Sequence, residues 1–302
     1  FFIPIRFYTF SKKKDMYYPY LRGKKFELLT LREVNHNIYN NPTKTVIPII
    51  ELESTTKRGV VSSFENYVAN DIPFILIINP SIAGLNNSRT NITNNIINGP
   101  LLNYDNYFIG YSVNHNTRLN TIDTFLNEFI DKKKSLLHNS RVGDPVALNN
   151  LLLNHNVHHN IFFNGRTDDL YPTNFSNIID KVLIKDGFIR ARVNAEYPPE
   201  DYFSNLHNTF TADGYDGFGD YLTIGESYRT GGGAAHAVTL HLTHGNTPDG
   251  IRVRHFISDD IVGRTRVASK LLEALTHLMT FVNGNPAVDI TSGTDEFRYY
   301  FD

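Results

Sequence analysis

Apolar and polar positions follow a repeated rhythm along the 302-residue chain: short β-branched or aromatic runs bounded by Pro, Gly or Asn, each followed by a stretch at helical spacing. YYPYL at 17–21 opens it, followed by KKFELLTLREVNHNIY, where Phe26, Leu29, Val34 and Ile38 recur roughly at helical spacing. VIPIIEL at 46–52 is the near-continuous apolar run of a parallel strand covered on both faces, and SFENYVAN supplies the next helix. PFILIINP at 73–80 repeats the pattern between two prolines, and an Asn-rich polar stretch follows. YFIGYSV at 107–113 predicts a fourth strand. In TRLNTIDTFLNEFIDKKK, Leu119, Ile122, Leu126, Phe129 and Ile130 share a face, and the lysines at 132–134 suit the negative end of a helix. SLLHNS at 135–140, the helix PVALNNLLLNH and the strand NIFFN at 160–164 continue the alternation. KVLIKDGF at 181–188 is the seventh strand, PPEDYFSNLH predicts a short helix opened by its prolines, and FGDYLTIGE at 218–226 is the eighth strand.

The pattern then changes. AVTLHLTH at 237–244 and IRVRHFIS at 251–258 read as an antiparallel pair joined by GNTPDG. VASKLLEALTHLMTFV at 267–282 is amphipathic, with Leu271, Leu275, Leu278 and Val282 on one side. Eight strand and helix pairs predict an α/β fold, a (β/α)8 TIM-like barrel with a β-hairpin insertion after the eighth strand; an open doubly wound sheet is the alternative. Residues 16–302 are expected to form one domain, with the insertion at about 227–262 and the closing helix at about 266–283. Residues 1–15 precede the first methionine, Met16, and read as a leader or extension outside that core.

Composition narrows the classes. Hydrophobic residues at 41% and charged residues at 20% are globular values, and a formal charge of −2 provides no global positive field for nucleic acid or an anionic membrane. The chain has no cysteine, which excludes disulfides and thiolate chemistry. No apolar run reaches the roughly 18 residues of a membrane span, and no signal peptide is recognisable, so the expected location is cytoplasmic with no membrane partner.

In a barrel, chemistry gathers at the carboxyl ends of the strands. Standing there are Glu51 and Glu53, Asn79, Asn114, Arg141, Asn164 and Arg166, Asp186 and Arg190, Asp220 and Glu226. Glu51, Asp186, Asp220 and Arg190 are the candidate catalytic set, and Asn79, Asn164, Arg166 and Arg22 the candidate substrate-binding set. A carboxylate there would act as general base or hold a divalent metal such as Mg²⁺, with Arg gripping a phosphate or carboxylate. The plainer alternative is a wet, polar rim. His241, His255 and Asp259 could meet across the hairpin, whereas His241 and His244 point to opposite faces; no recognised metal-ligand spacing is present. The HxxHH run at 155–159 reads as a solvated loop, Gly214, Gly217 and Gly219 as turn glycines, and Gly231, Gly232 and Gly233 as the hinge of a flexible loop over the barrel mouth. Arg22, Lys24 and Lys25, with Arg252, Arg254, Arg264 and Arg266, would form a basic docking face if they lie together.

Four stretches are more specific: YYPYLRGKKFELLTLRE at 17–33, VIPIIEL, PFILIINP, and DGYDGFGDYLTIGESYRTGGGAAHAVTLHLTH at 213–244. With VLIKDGF at 182–188 and IRVRHFISDD at 251–260, they resemble the bacterial sce seventy-seven twenty-five family, itself distantly similar to the phage-associated beta proteins. The resemblance runs from about Met16 to about Phe281; residues 1–15 are extra, and the Gly-rich tail containing Lys and His expected after Gly284 is missing. That family has no established activity. The resemblance implies an accessory or recognition subunit of a phage-defence or mobile-element gene pair, working with a nuclease-like partner from a neighbouring gene. The polar strand ends point instead to a hydrolase or phosphodiesterase with an acidic, arginine-lined mouth.

Overall fold

A computed structural model describes residues 16–39, 46–55, 59–82, 88–227 and 235–285. The 1–15 extension, Gly231 to Gly233 and the chain after 285 lie outside the described residues. The strands are β1 (Met16–Tyr17), β2 (Tyr20–Leu21), β3 (Ile49–Glu51), β4 (Phe74–Ile77), β5 (Tyr107–Val113), β6 (Lys134–His138), β7 (Val157–Phe163), β8 (Asp180–Ile184), β9 (Glu200–Ser204), β10 (Gly217–Gly219), β11 (Thr239–Thr247) and β12 (Gly250–Ile257). The α-helices are α1 (Lys25–Tyr39), α2 (Val60–Ala69), α3 (Ser88–Ile92), α4 (Leu119–Glu128), α5 (Pro145–Leu153), α6 (Leu206–Thr209) and α7 (Val267–Gly284). Among the described residues, no helix is long and apolar enough to cross a membrane. The chain divides into two compact units, 16–185 with 209–220, and 186–208 with 221–285.

The first unit holds a nine-stranded, entirely parallel, barrel-like sheet in the order β1-β10-β8-β7-β6-β5-β4-β3-β2. Only Tyr18 and Pro19 separate β1 from β2, and residues 16–21 bond on both sides. Tyr18 and Tyr20 N–H donate to Phe218 and Asp220 carbonyls at 2.8 and 2.9 Å, while Ile47 and Ile49 N–H donate to Tyr17 and Pro19 carbonyls, both at 2.9 Å. Pro19, which has no N–H to give, stands where only its carbonyl is needed. All seven residues of β5 are buried, as expected of a parallel strand covered on both faces.

The helices follow their apolar stripes with local corrections. In α4 the buried positions are Ile122, Phe125 and Leu126, with Phe129 just beyond; Ile130 is exposed because the helix ends at Glu128. The Lys134 ammonium, fully buried, donates to the carbonyls of Phe129, Ile130 and Lys132 at 2.7, 3.3 and 2.8 Å, capping that helix end. In α1 the buried stripe passes through Leu28 and Leu31, leaving Phe26 exposed. Asp144 caps α5 by accepting from Ala147 N–H at 2.9 Å, with Pro145 in the first turn.

The second unit is a three-stranded antiparallel sheet in the order β11-β12-β9, with α7 on one face. The predicted hairpin is present, but the predicted helix at 198–207 is mostly strand. Glu200–Ser204 alternates, so Asp201 and Phe203 can face one side while Glu200 and Tyr202 face the other, and it pairs with β12. The two prolines therefore introduce an edge strand, with the Pro199 carbonyl accepting from His255 N–H at 3.0 Å. The predicted eighth strand ends early at Gly219; a single 3₁₀ turn, Leu222–Ile224, follows, with Leu222 at φ 54° breaking the extended run. Leu242 and Phe256 pack with Leu278, Met279 and Val282 of α7. The opposite face gathers Phe188, Tyr197, Phe203, Ile251 and Val253. Leu271 lies off the buried stripe, where Lys270 and Ala274 stand instead. The Lys270 ammonium donates to the carbonyls of His236, Val262 and Gly263 at 2.6, 3.0 and 2.8 Å.

A methyl group on Gly219 would lie 2.0 Å from the Tyr18 carbonyl oxygen, and one on Gly143 would meet nothing within 4 Å. Gly219→Ala is expected to destabilise the first unit by about 3 kcal/mol, the upper range of overpacking, with Gly143→Ala near neutral. Urea denaturation measures both; equal midpoints would contradict the packing of Tyr18 against β10.

Candidate functional site

Parallel register decides which polar groups meet at the strand ends. Leu21 is level with Ile50, so Arg22, one residue past β2, comes level with Glu51, the last residue of β3. Glu51 is 1% exposed and takes four donors. Its Oε2 accepts from the Tyr20 hydroxyl at 2.9 Å and from the Arg22 guanidinium, and its Oε1 accepts from the Ser81 N–H at 2.7 Å and hydroxyl at 3.0 Å. The Arg22 guanidinium also lies 4.9 Å from the centre of the Tyr20 ring. A buried ion pair survives only when its remaining hydrogen-bonding capacity is met, and here that of the carboxylate is filled by its neighbours.

The other strand-end residues are similarly engaged. The Asn79 side chain donates to the Ser112 carbonyl and accepts from the Ser112 N–H, both at 2.8 Å, imitating a strand pairing with β5. Asp220, buried, accepts from the Tyr17 hydroxyl at 2.9 Å. Arg141 pairs with Asp168 at 2.8 Å on the surface, and Asn114 N–H donates to the Thr117 hydroxyl at 2.9 Å. The Glu53 N–H donates to the Arg22 carbonyl at 3.2 Å. Asn164 and Arg166 are exposed beyond β7.

Asp186 and Arg190 belong to the second unit. Asp186 is exposed, not desolvated, and its two oxygens accept from Phe188 N–H at 3.0 Å and Glu226 N–H at 2.8 Å. Arg190 donates to the Ile224 and Ser227 carbonyls. These two residues thus fasten the segment around 224–227. The basic residues likewise fall in both units. Arg252 and Arg254 face Glu200, and Arg266 pairs with Asp260 at 2.7 Å.

The sequence reading missed the buried histidines. The HxxHH run is not all loop: β7 begins at Val157, and His159 lies in the interior with its Nδ1 2.8 Å from the Ser135 hydroxyl. The rings of Tyr18 and Phe108 stand edge-on to it at 5.5 and 4.5 Å. On the alternate face, His138 Nδ1 is 3.1 Å from the Tyr171 hydroxyl, and its Nε2 is 3.0 Å from Asn160 Oδ1. Asn160 Oδ1 can only accept, so the imidazole proton sits on Nε2, and the Tyr171 hydroxyl, which itself accepts from Val142 N–H, donates to Nδ1. In the second unit, His241 and His255 meet with Nδ1 atoms 2.7 Å apart, as the hairpin spacing predicts. The acid beside them is Asp201, 3.3 Å from His255 Nε2, while Asp259 lies 3.4 Å from His277. Only the period-two alternation of VHHNIFF and EDYFS could have revealed these contacts. Among the described residues, no group of three or more His, Asp or Glu side chains could hold a metal ion.

The chain matches no known protein family, no curated protein and no solved structure.

Glu51→Gln leaves the Arg22 charge buried without its counter-charge and is expected to cost about 3–5 kcal/mol. Adding Arg22→Met should recover much of that loss in urea denaturation; additive single losses would refute the pairing. Burial holds three imidazoles neutral, pushing His138 down to about 4 and His159 and His241 to about 3. Unfolded histidines take up protons below about pH 6.5, so stability is complete above that value and falls towards pH 3–4. The slope is up to about 1.4 kcal/mol per pH unit for each histidine. His159→Gln should flatten the dependence by one histidine's share, read from denaturation midpoints between pH 7 and pH 5.

Proposed function

We propose that the chain is an accessory or recognition subunit, built on a closed eight-stave (β/α) barrel, acting in the cytoplasm beside a nuclease-like partner in a phage-defence or mobile-element gene pair. The two-sided hydrogen bonding of residues 16–21 supports closure, since one stave then joins β10 to β3 and makes β1 and β2 a single stave. The gene-pair setting rests on the resemblance of 213–244 and 251–260 to the family named above. One observation carries the recognition role over the hydrolase role. A general base or metal-binding carboxylate needs an open lone pair, and Glu51 already accepts from Tyr20, Arg22 and both donors of Ser81. Asn79, Asp220, Asp186 and Arg190 are likewise engaged in holding backbone or side chains in place. Within each unit, polar groups fastened in this way suit a surface that binds without turning over.

Co-expression with the product of the neighbouring gene should give a stable complex that co-elutes in size exclusion. A chain that elutes alone overturns the accessory role. Phosphodiester and nucleotide substrates are assayed in parallel with Mg²⁺ or Mn²⁺. The expected result is no turnover above background; turnover by the wild type that folded Glu51→Gln or Asp186→Asn protein loses would establish the hydrolase instead.

A further inference from the structure

The second unit carries an arrangement that the proposed role does not use. Strand register gathers polar side chains on the sheet face that also packs against α7. Arg252 of β12 stands opposite Tyr202 of β9 on one side and His244 of β11 on the other, and Arg254 stands opposite Glu200 of β9. Phe281, in the last turn of α7, reaches this group: its ring centre is 4.5 Å from the Arg254 guanidinium and 5.3 Å from that of His244. Tyr202 is 42% exposed and the Arg252 side chain 49%, so this end of the face is open to solvent.

One carboxylate serves three basic groups here. Glu200 Oε2 accepts from Arg252 Nε and Oε1 from His244 Nε2 at 2.9 Å, while Arg254 Nη1 stays 3.7 Å away, beyond a hydrogen bond. Both terminal nitrogens of Arg252 and the whole Arg254 fork are therefore left without an acceptor among the described residues. Two guanidinium charges face one carboxylate, and the excess is positive. The Nε bond to Glu200 fixes the plane of one guanidinium, and the Phe281 ring supports the other. Two forks are thus held side by side, two residues apart on one strand, a separation of about 7 Å. Tyr202 adds an aromatic surface beside them. Its ring lies against Gly250, where a Cβ would stand 3.0 Å away, and its hydroxyl makes no hydrogen bond to a described residue.

We propose that this sheet face binds single-stranded nucleic acid, with Arg252 and Arg254 taking backbone phosphates and the Tyr202 ring stacking on a base. Planar forks with unused N–H groups match phosphate oxygens in pairs. The exposed ring between them and the sheet edge takes the flat face of a base, which a single strand offers and a duplex keeps inside its own stack. Glu200 is a positioning residue that aims Arg252. With a formal charge of −2 on the whole chain, attraction is confined to this patch and falls off within a Debye length. The proposal does not rest on the accessory role.

Fluorescence anisotropy of the full chain with labelled oligothymidylate and oligouridylate of about eight nucleotides tests it. Affinity should fall with salt at a slope of log K on log [NaCl] of about −1.4, the value for two phosphates of a single strand. Arg252→Ala and Arg254→Ala should each remove about half of that slope. Tyr202→Ser should weaken binding about tenfold without changing the slope, and Tyr202→Phe should retain it. Arg192→Ala, which removes an exposed charge outside these strands, should leave binding as it is. The tighter of the two oligonucleotides shows whether DNA or RNA is the source of the strand. No binding by the wild type, equal binding of a duplex of the same length, or a slope that neither arginine change alters would each overturn the proposal. Displacement by polyglutamate as readily as by unlabelled oligonucleotide would overturn it too, and would mark the face as a dock for an acidic protein. The wild-type measurements stand even if a variant fails to fold, and none of them depends on the partner complex.

Discussion

Residues 16–21 must satisfy backbone partners on two sides at once, and much of the parallel sheet is arranged around that demand. The segment donates to the carbonyls of Phe218 and Asp220 and accepts from Ile47 and Ile49. Its Tyr18 and Tyr20 rings reach His159 and Phe163 of β7, at 5.5 and 5.9 Å. Tyr18 leaves no room beside it, which is why β10 reads Gly-Phe-Gly: a Cβ on Gly217 would lie 2.6 Å from the Tyr18 ring and one on Gly219 2.0 Å from the Tyr18 carbonyl oxygen. Small residues on one strand are thus the counterpart of large ones on another.

A second constraint governs the polar interior. Glu51, Lys134 and Lys270 are each at most 1% exposed, and each is surrounded by enough partners to replace water. Glu51 has four donors, and each lysine has three carbonyls. The same economy explains why residues selected as chemical candidates became fastenings. A charged group at the end of an apolar strand is forced into a crowded place, and the fold tolerates it there only by filling its hydrogen-bonding capacity.

The rhythm of apolar runs was legible because parallel strands covered on both faces are written as unbroken stretches such as YFIGYSV and PFILI, and both lie where that pattern puts them. The hairpin and α7 were equally plain. EDYFS was misread because two prolines before a short polar run suit a helix start and an edge strand alike, and only the partner strand decides. At the strand ends, the residue types were visible but their neighbours were not. Arg22 faces Glu51 through register, Ser81 reaches it from the loop after β4, and Asp201 rather than Asp259 stands by His255. These are contacts between distant parts of the chain, to which local periodicity is blind.

The buried lysines have a consequence for descent. An ammonium group offers three protons in a compact tripod, and at both Lys134 and Lys270 three carbonyl oxygens receive it. A planar guanidinium, wider and forked, does not fit such a seat, so the usual exchange of lysine for arginine is barred at these positions. As sequences drift apart, a lysine just past a helix end and another near the start of the last helix should outlast most of the surface. They are marks by which a remote cousin can be recognised when overall similarity has faded.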